Sequence, residues 1–323
     1  MSTVTNAINL RKVSVSFSLF RQLFNSVFPH FITIDDLSVM STGKKVIWDS
    51  SSWRFEGWVV PAKSRITYSV TIAFHGFDRD ACEMENFMPF YDDNTAMLSI
   101  NLLHHGKSAP LDPLPIHSAL GPLELLSAIE QKVKEEFPEA KTLELLGYSM
   151  GARITFKLVK EFPGKFNRLI ALAPDGLKMT NLYKFVVHTK LGKLCWSLID
   201  RFPKTNKRII DALYKAGAIS SHKHHFGRYH TDNSKIRRRV AYGWEGHKKF
   251  WAKPEALAHA FSQIDTTLVF GDRDKIIPEK WADELKRELG KISCSSVKFI
   301  KIESGHVMRH AATVEQIKDL LKS

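Results

Sequence analysis

Apolar positions along this chain follow two alternating periods. Short runs that are apolar throughout, or apolar at every second residue, predict eight strands, at 45–49, 53–60, 68–75, 96–101, 142–146, 168–173, 266–270 and 297–302. Between them, apolar residues at helical spacing predict helices over 123–137, 152–162, 280–289 and 314–321. Pro138 and Pro163 follow the first two of these, where proline ends a helix. Strand, helix and strand in repetition predict a mostly parallel eight-stranded sheet flanked by helices on both faces, an α/β fold. Only residues 50–52 separate the first two strands, which predicts an antiparallel hairpin at one edge.

The alternation fails twice. Residues 175–252 are helical, aromatic and basic, with no strand signal, and an insertion of this length between two sheet strands reads as a helical cap. Within residues 1–44, Phe17, Phe20, Leu23, Phe24, Val27, Phe28 and Phe31 recur at helical spacing until Pro29 interrupts them. This amphipathic extension is expected to dock on its own protein; Arg11, Lys12 and Arg21 leave peripheral membrane contact as the alternative. The chain thus divides into an extension (1–44), a first core part (45–174), a basic cap (175–252) and a second core part (253–323).

Composition narrows the classes. The 323 residues are 44% hydrophobic and 25% charged, as in a soluble globular protein. No apolar run reaches the roughly 20 residues of a membrane span. No signal-peptide pattern opens the chain. Cys82, Cys195 and Cys294 are too few and too scattered for a disulfide framework or a CxxC metal site, which fits a cytoplasmic setting. The net charge is +13, and +11 of it lies in residues 201–253, where 14 Lys and Arg face only Asp211, Asp232 and Glu245. Such a segment is either a solvated face or a site for anions: an acidic substrate, or an anionic lipid surface. Lys235, Arg237, Arg238 and Arg239 could meet phosphate, but no nucleic-acid-binding motif or aromatic platform accompanies them, so nucleic acid is not expected. His222, His224, His225 and His230 crowd together with only Asp232 to complete a ligand set, so no metal is expected.

The strongest motif is Gly147-Tyr148-Ser149-Met150-Gly151. Its five letters are weak evidence alone. A predicted strand before it and a helix after it make it a nucleophile elbow. The sharp turn strains the serine backbone and lifts its oxygen above the sheet, while glycines at 147 and 151 avoid clashes. A serine hydroxyl needs a base. His306, in Ser304-Gly305-His306 after the last strand, is in place for that role. The acid behind it is expected at Asp274 in the loop Gly271–Asp274; Asp272 suits turn amides better, and Asp175 is a third candidate. Two amides must face the developing oxyanion, and those of Met150 and Phe77 are expected there, with Gly76 allowing close approach.

Five segments together resemble the α/β-hydrolase superfamily. Phe74-His75-Gly76-Phe77 looks like its oxyanion loop, and His104-His105-Gly106-Lys107-Ser108 like its loop after strand four. Gly147–Gly151, Gly271–Asp274 and Gly305-His306 look like its elbow, acid and histidine loops. The resemblance covers about residues 45–174 and 253–323. It departs at Asn101 and His104, where members often carry Asp and Arg in a loop that is structural in most of them. It implies a cofactor-free serine hydrolase that cleaves a carboxylic ester of a small-molecule acyl substrate through an acyl-enzyme on Ser149. A thioesterase, C–C bond hydrolase, lipase-like enzyme or acyltransferase would use the same residues. Epoxide hydrolases and dehalogenases would carry aspartate at position 149. The rival of another class is a non-catalytic lipid or small-molecule binding protein on the same fold.

Overall fold

The hairpin expected at one edge is present: β1 (Lys44–Ser50) pairs antiparallel with β2 (Trp53–Val60), from Lys44 opposite Val59 to Ser50 opposite Trp53. The computed structural model describes residues 42–322, without the side chains of Leu182, Asp200, His222, Lys223, Phe226, His230, Lys235, Arg237 and Arg238. The apolar stripe of residues 17–31 therefore lies outside the described residues. The sheet continues with β3 (Ser69–Phe74), β4 (Thr95–Ile100), β5 (Ala109–Pro110), β6 (Thr142–Tyr148), β7 (Arg168–Leu172), β8 (Asp265–Gly271) and β9 (Val297–Ile302). Its order is β1-β2-β4-β3-β6-β7-β8-β9, antiparallel where β2 meets β1 and β4, and parallel from β4 to β9. All eight expected strands are there within two residues. The two-residue β5 pairs with β2 off this path, so the sheet has nine strands rather than eight. Two residues are too few to show a period.

Among the described residues, ten α-helices accompany these strands: α1 (Pro122–Glu136), α2 (Met150–Glu161), α3 (Asn181–His188), α4 (Lys190–Arg201), α5 (Pro203–Lys215), α6 (Ser221–Asp232), α7 (Ser234–Gly246), α8 (Pro254–Phe261), α9 (Asp283–Lys291) and α10 (Ala311–Lys322). A 3-10 helix spans Ala81–Phe90, and a shorter one, Glu279–Ala282, leads into α9. Helices α3–α8 all lie between β7 and β8. Residues 42–323 form one compact unit.

Strand periodicity explains how both faces are covered. Every residue of β3 and β4 is buried, as in central strands covered on both sides. Successive side chains alternate between two cores. Val70, Ile72, Phe74, Leu145, Leu169, Ala171, Leu268 and Phe270 meet the apolar faces of α1, α2, α8 and α9. Ala73, Leu146, Ile170, Leu172 and Val269 meet Met84, Phe87 and Phe90 of the 3-10 helix, and Val314 and Ile317 of α10. At the outer edge, β9 exposes Lys298 and Lys301, charges that blunt an open strand.

Phe87 sits between the sheet and α10, fully buried, with its ring 5.5 Å from Phe90 and 6.0 Å from Tyr148. Phe87→Ala should lower the unfolding free energy by about 3–5 kcal/mol, read from urea titration, because the cavity it leaves cannot refill.

Candidate active site

The β6–α2 turn is built by what glycine lacks. Ser149 adopts φ 52° and ψ −118°, a left-handed backbone that an L-residue holds only when its surroundings enforce it. Three hydrogen bonds do so: the Ser149 amide donates to Leu172 O at 2.9 Å, and its carbonyl accepts from Ala152 N at 3.0 Å and Asp175 N at 3.1 Å. A Cβ on Gly147 would stand 2.5 Å from the Cα of Ala152 in the first turn of α2. A Cβ on Gly151 would overlap the carbonyl of Phe74 at the end of β3. A Cβ on Gly76 would lie 3.2 Å from that of Ser149, so the β3 loop lies directly against the serine.

The structure brings together the three residues expected to act as a unit. Ser149 Oγ lies 3.0 Å from His306 Nε2, and His306 Nδ1 lies 2.8 Å from Asp274 Oδ2. The Asp274 carboxylate is buried, and its other oxygen accepts from Ile276 N at 2.8 Å and Ile277 N at 2.9 Å. The two other acids are engaged elsewhere. Asp272 Oδ1 accepts from the Ser304 amide at 3.0 Å, and Asp175 pairs with the buried guanidinium of Arg153. Met150 opens α2 directly after Ser149, and Phe77 follows Gly76, the residue whose Cβ would lie against that of Ser149.

Other residues position these groups. Tyr148, the variable letter of the elbow, donates its hydroxyl to His306 O at 2.7 Å and accepts from Met308 N at 3.4 Å. Burial raises that hydroxyl to about 12, so it keeps its proton and its grip on the histidine loop. Three buried imidazoles hold the backbone beneath the β3 and β4 loops. His75 Nδ1 donates to Gly76 O at 2.6 Å, and its Nε2 accepts from Leu102 N at 3.1 Å. His105 Nδ1 donates to Leu103 O at 3.1 Å, and its Nε2 accepts from Asp78 N at 3.1 Å. His247 Nδ1 donates to Gly243 O at 2.8 Å, and its Nε2 accepts from Leu103 N at 3.4 Å. Each ring must be neutral to accept on Nε2. Burial enforces this, lowering His75 from 6.5 to about 4, His247 from 6.5 to about 3, and His105 well below 6.5. The loop after β4 also works through Asn101, whose side-chain amide donates to Glu56 Oε1 at 3.0 Å while its Oδ1 accepts from Ala81 N at 2.8 Å.

The segment between β7 and β8 reaches the same loop. Arg239 of α7 donates to the carboxylate of Asp78, which follows Phe77 and itself has φ 57°. Asp78 is thereby held from two sides, its amide by His105 and its carboxylate by Arg239. Arg239 therefore has a partner inside the chain. The side chains of Lys235, Arg237 and Arg238 lie outside the described residues. In the histidine-rich stretch, His224 Nε2 meets Asp211 Oδ1 at 2.8 Å. Asp232 pairs with Lys207 at 2.9 Å. Among the described residues, no three His, Cys, Asp or Glu side chains are grouped to hold a metal, and no helix is long and apolar enough to cross a membrane.

A sheet of this order, with a serine elbow after its central strand and a histidine loop after its last, defines an α/β hydrolase. The chain belongs to the family described as serine aminopeptidase, S33, whose model matches residues 70–310. No curated protein matches the sequence. Among solved structures, it is similar to a thioesterase domain from the curacin biosynthetic pathway, at 16% identity and TM-score 0.55 over 87% of this chain and 99% of that one. It is similar to an alpha/beta hydrolase enzyme from a Medee basin deep-sea metagenome library, at 11% identity and TM-score 0.58, covering 85% and 95%. A membrane phospholipase A, described as a bacterial virulence factor, aligns at 15% identity and TM-score 0.51, covering 97% and 96%. At such identities the likeness shows the fold alone.

The buried imidazoles set a pH dependence. Between about pH 6.5 and about pH 4 the unfolded chain binds protons at these histidines and the folded chain does not. Stability should therefore fall as pH drops through this window, by up to about 1.4 kcal/mol per pH unit for each histidine. Thermal unfolding between pH 7.5 and pH 5 should show the decline, and His247→Gln should make it shallower.

Proposed function

We propose that this protein is a serine hydrolase that cleaves a carboxylic ester through an acyl-enzyme on Ser149. The observation that carries the reading is the unbroken chain of contacts from Ser149 Oγ to His306 Nε2 at 3.0 Å and from His306 Nδ1 to Asp274 Oδ2 at 2.8 Å. With Nδ1–H directed at Asp274, Nε2 is left to accept the serine proton.

His306 takes the proton of Ser149 as Oγ bonds to the ester carbonyl carbon. The negative charge moves onto the carbonyl oxygen, where the amides of Phe77 and Met150 receive it; one such donor is worth about 10²–10³ in rate. The N-terminus of α2 adds favourable potential there. The bond from carbon to the alcohol oxygen then breaks, and that oxygen leaves with the proton from His306. Water next gives a proton to His306 and adds to the acyl carbon, the bond to Oγ breaks, Ser149 recovers its proton, and the acid departs. Asp274 stabilises the imidazolium in both halves. No step requires a cofactor. The helices between β7 and β8 act as a cap, because Arg239 links them to the loop that carries Phe77.

Labelling with a fluorophosphonate probe tests the reading. The intact protein should label, while Ser149→Ala and His306→Ala should not. Asp274→Asn should keep the fold and lower kcat by about 10⁴-fold. A panel of p-nitrophenyl esters, acyl thioesters and an aminoacyl anilide should then show the ester cleaved fastest. An intact, folded protein that fails to label would be a lipid or small-molecule binding protein instead.

A further inference from the structure

Helices α4 and α5 expose what a helix normally buries. Leu191, Leu194 and Leu198 recur at helical spacing along α4, Phe202 joins the two helices, and Ile209 and Leu213 stand one turn apart on α5; each is 42–60% exposed. Helix α5 buries none of its residues. These apolar positions therefore stand outside the buried cores, although apolar stripes on helices ordinarily pack on one. Repeated exposure of large apolar side chains along neighbouring helices marks a contact with something outside the chain.

The charge around it identifies the partner. Residues 181–215 carry eight Lys and Arg against two acids. Lys190, Lys204, Arg208 and Lys215 are exposed and make no ion pair among the described residues. Leucine, isoleucine and phenylalanine on one side of a short helix, bordered by unpaired basic residues, fit an interface where acyl chains meet negatively charged headgroups. A surface adapted to zwitterionic lipid alone would not need the cations.

We infer that the outer faces of α4 and α5 seat the protein on an anionic lipid surface. The contact is independent of the chemistry at Ser149 and goes beyond it. The basic residues draw the helices to the headgroups, and the apolar residues enter the boundary with the acyl chains.

Vesicle flotation of the full chain tests this. Vesicles of phosphatidylglycerol mixed with phosphatidylcholine should carry the protein, and vesicles of phosphatidylcholine alone should carry little. The double variants Leu194→Ser with Leu198→Ser, and Lys204→Glu with Arg208→Glu, should each weaken binding by about tenfold or more. All four side chains are exposed, so circular dichroism and the thermal midpoint should be unchanged. Salt should release the intact protein and the serine variant, whose remaining attraction is electrostatic. Ser149→Ala should float as the intact chain does, which separates this result from the labelling result. Three outcomes would overturn the inference: no flotation of the intact chain, flotation undiminished in both double variants, or a concentration-dependent dimer that the leucine substitutions abolish, which would make the occupant a second copy.

Discussion

The site depends on how closely three backbones approach. The end of β3, the end of β6 and the first turn of α2 converge on Ser149. They meet at a distance that forbids a side chain at 147 or 151 and leaves none to spare at 76. That approach has two consequences at once. It puts the nucleophile in a left-handed conformation, with its oxygen beyond the strand ends. It also sets Gly76, and with it the loop that carries Phe77, against Ser149, while Met150 opens α2 directly after it. Any looser packing would relax the serine backbone. The strain is held by hydrogen bonds from β7 and α2, so the neighbouring elements, and not the turn itself, stabilise the conformation.

Neutral imidazoles do the supporting work beneath this turn. A buried loop leaves amides and carbonyls that need partners. A neutral histidine supplies one donor and one acceptor on opposite sides of a rigid ring, and His75, His105 and His247 each bridge a carbonyl and an amide in that way. The same side chain thus serves two ends in one protein. The ring of His306 faces a carboxylate and a hydroxyl, where a gained proton has a partner. The other three are buried and bridge backbone groups, and burial there disfavours the charged ring.

The sheet was legible because its strands are buried on both faces or alternate cleanly, so period and length agree. The elbow was legible from context, a strand before and a helix after, and His306 and Asp274 from the loops they occupy. Asp274 could be preferred over Asp272 by loop position, but the reason is visible only in space: one carboxylate turns inward to the imidazole and the other holds the Ser304 amide. The 3-10 helix at Ala81–Phe90 showed no sequence period, since Pro89 lies inside it and three-residue turns scatter its apolar positions. Tyr148 was hidden as the variable letter of a motif, because its hydroxyl acts on a residue 158 positions away. Arg239 looked like a member of a basic run, and nothing in local sequence pairs it with Asp78, 161 positions away.

The segment between β7 and β8 shows how the two sides of an insertion can be read separately. Its inward side is specific and polar: Arg239 on Asp78, Leu120 N on Gly246 O, and His247 on the amide of Leu103. Helices α3, α4 and α7 begin on side-chain caps from Thr180, Thr189 and Asn233, so those ends are fixed locally. Its outward side is unspecific, made of leucines and lysines whose exact partners do not matter. Folding alone accounts for the first side, since each contact pairs a polar group with a partner inside the chain. It accounts less for the second, because apolar side chains on α4 and α5 leave about half of their surface in water. A single segment therefore carries both the contact to the loop beside Ser149 and the exposed apolar side chains of α4 and α5.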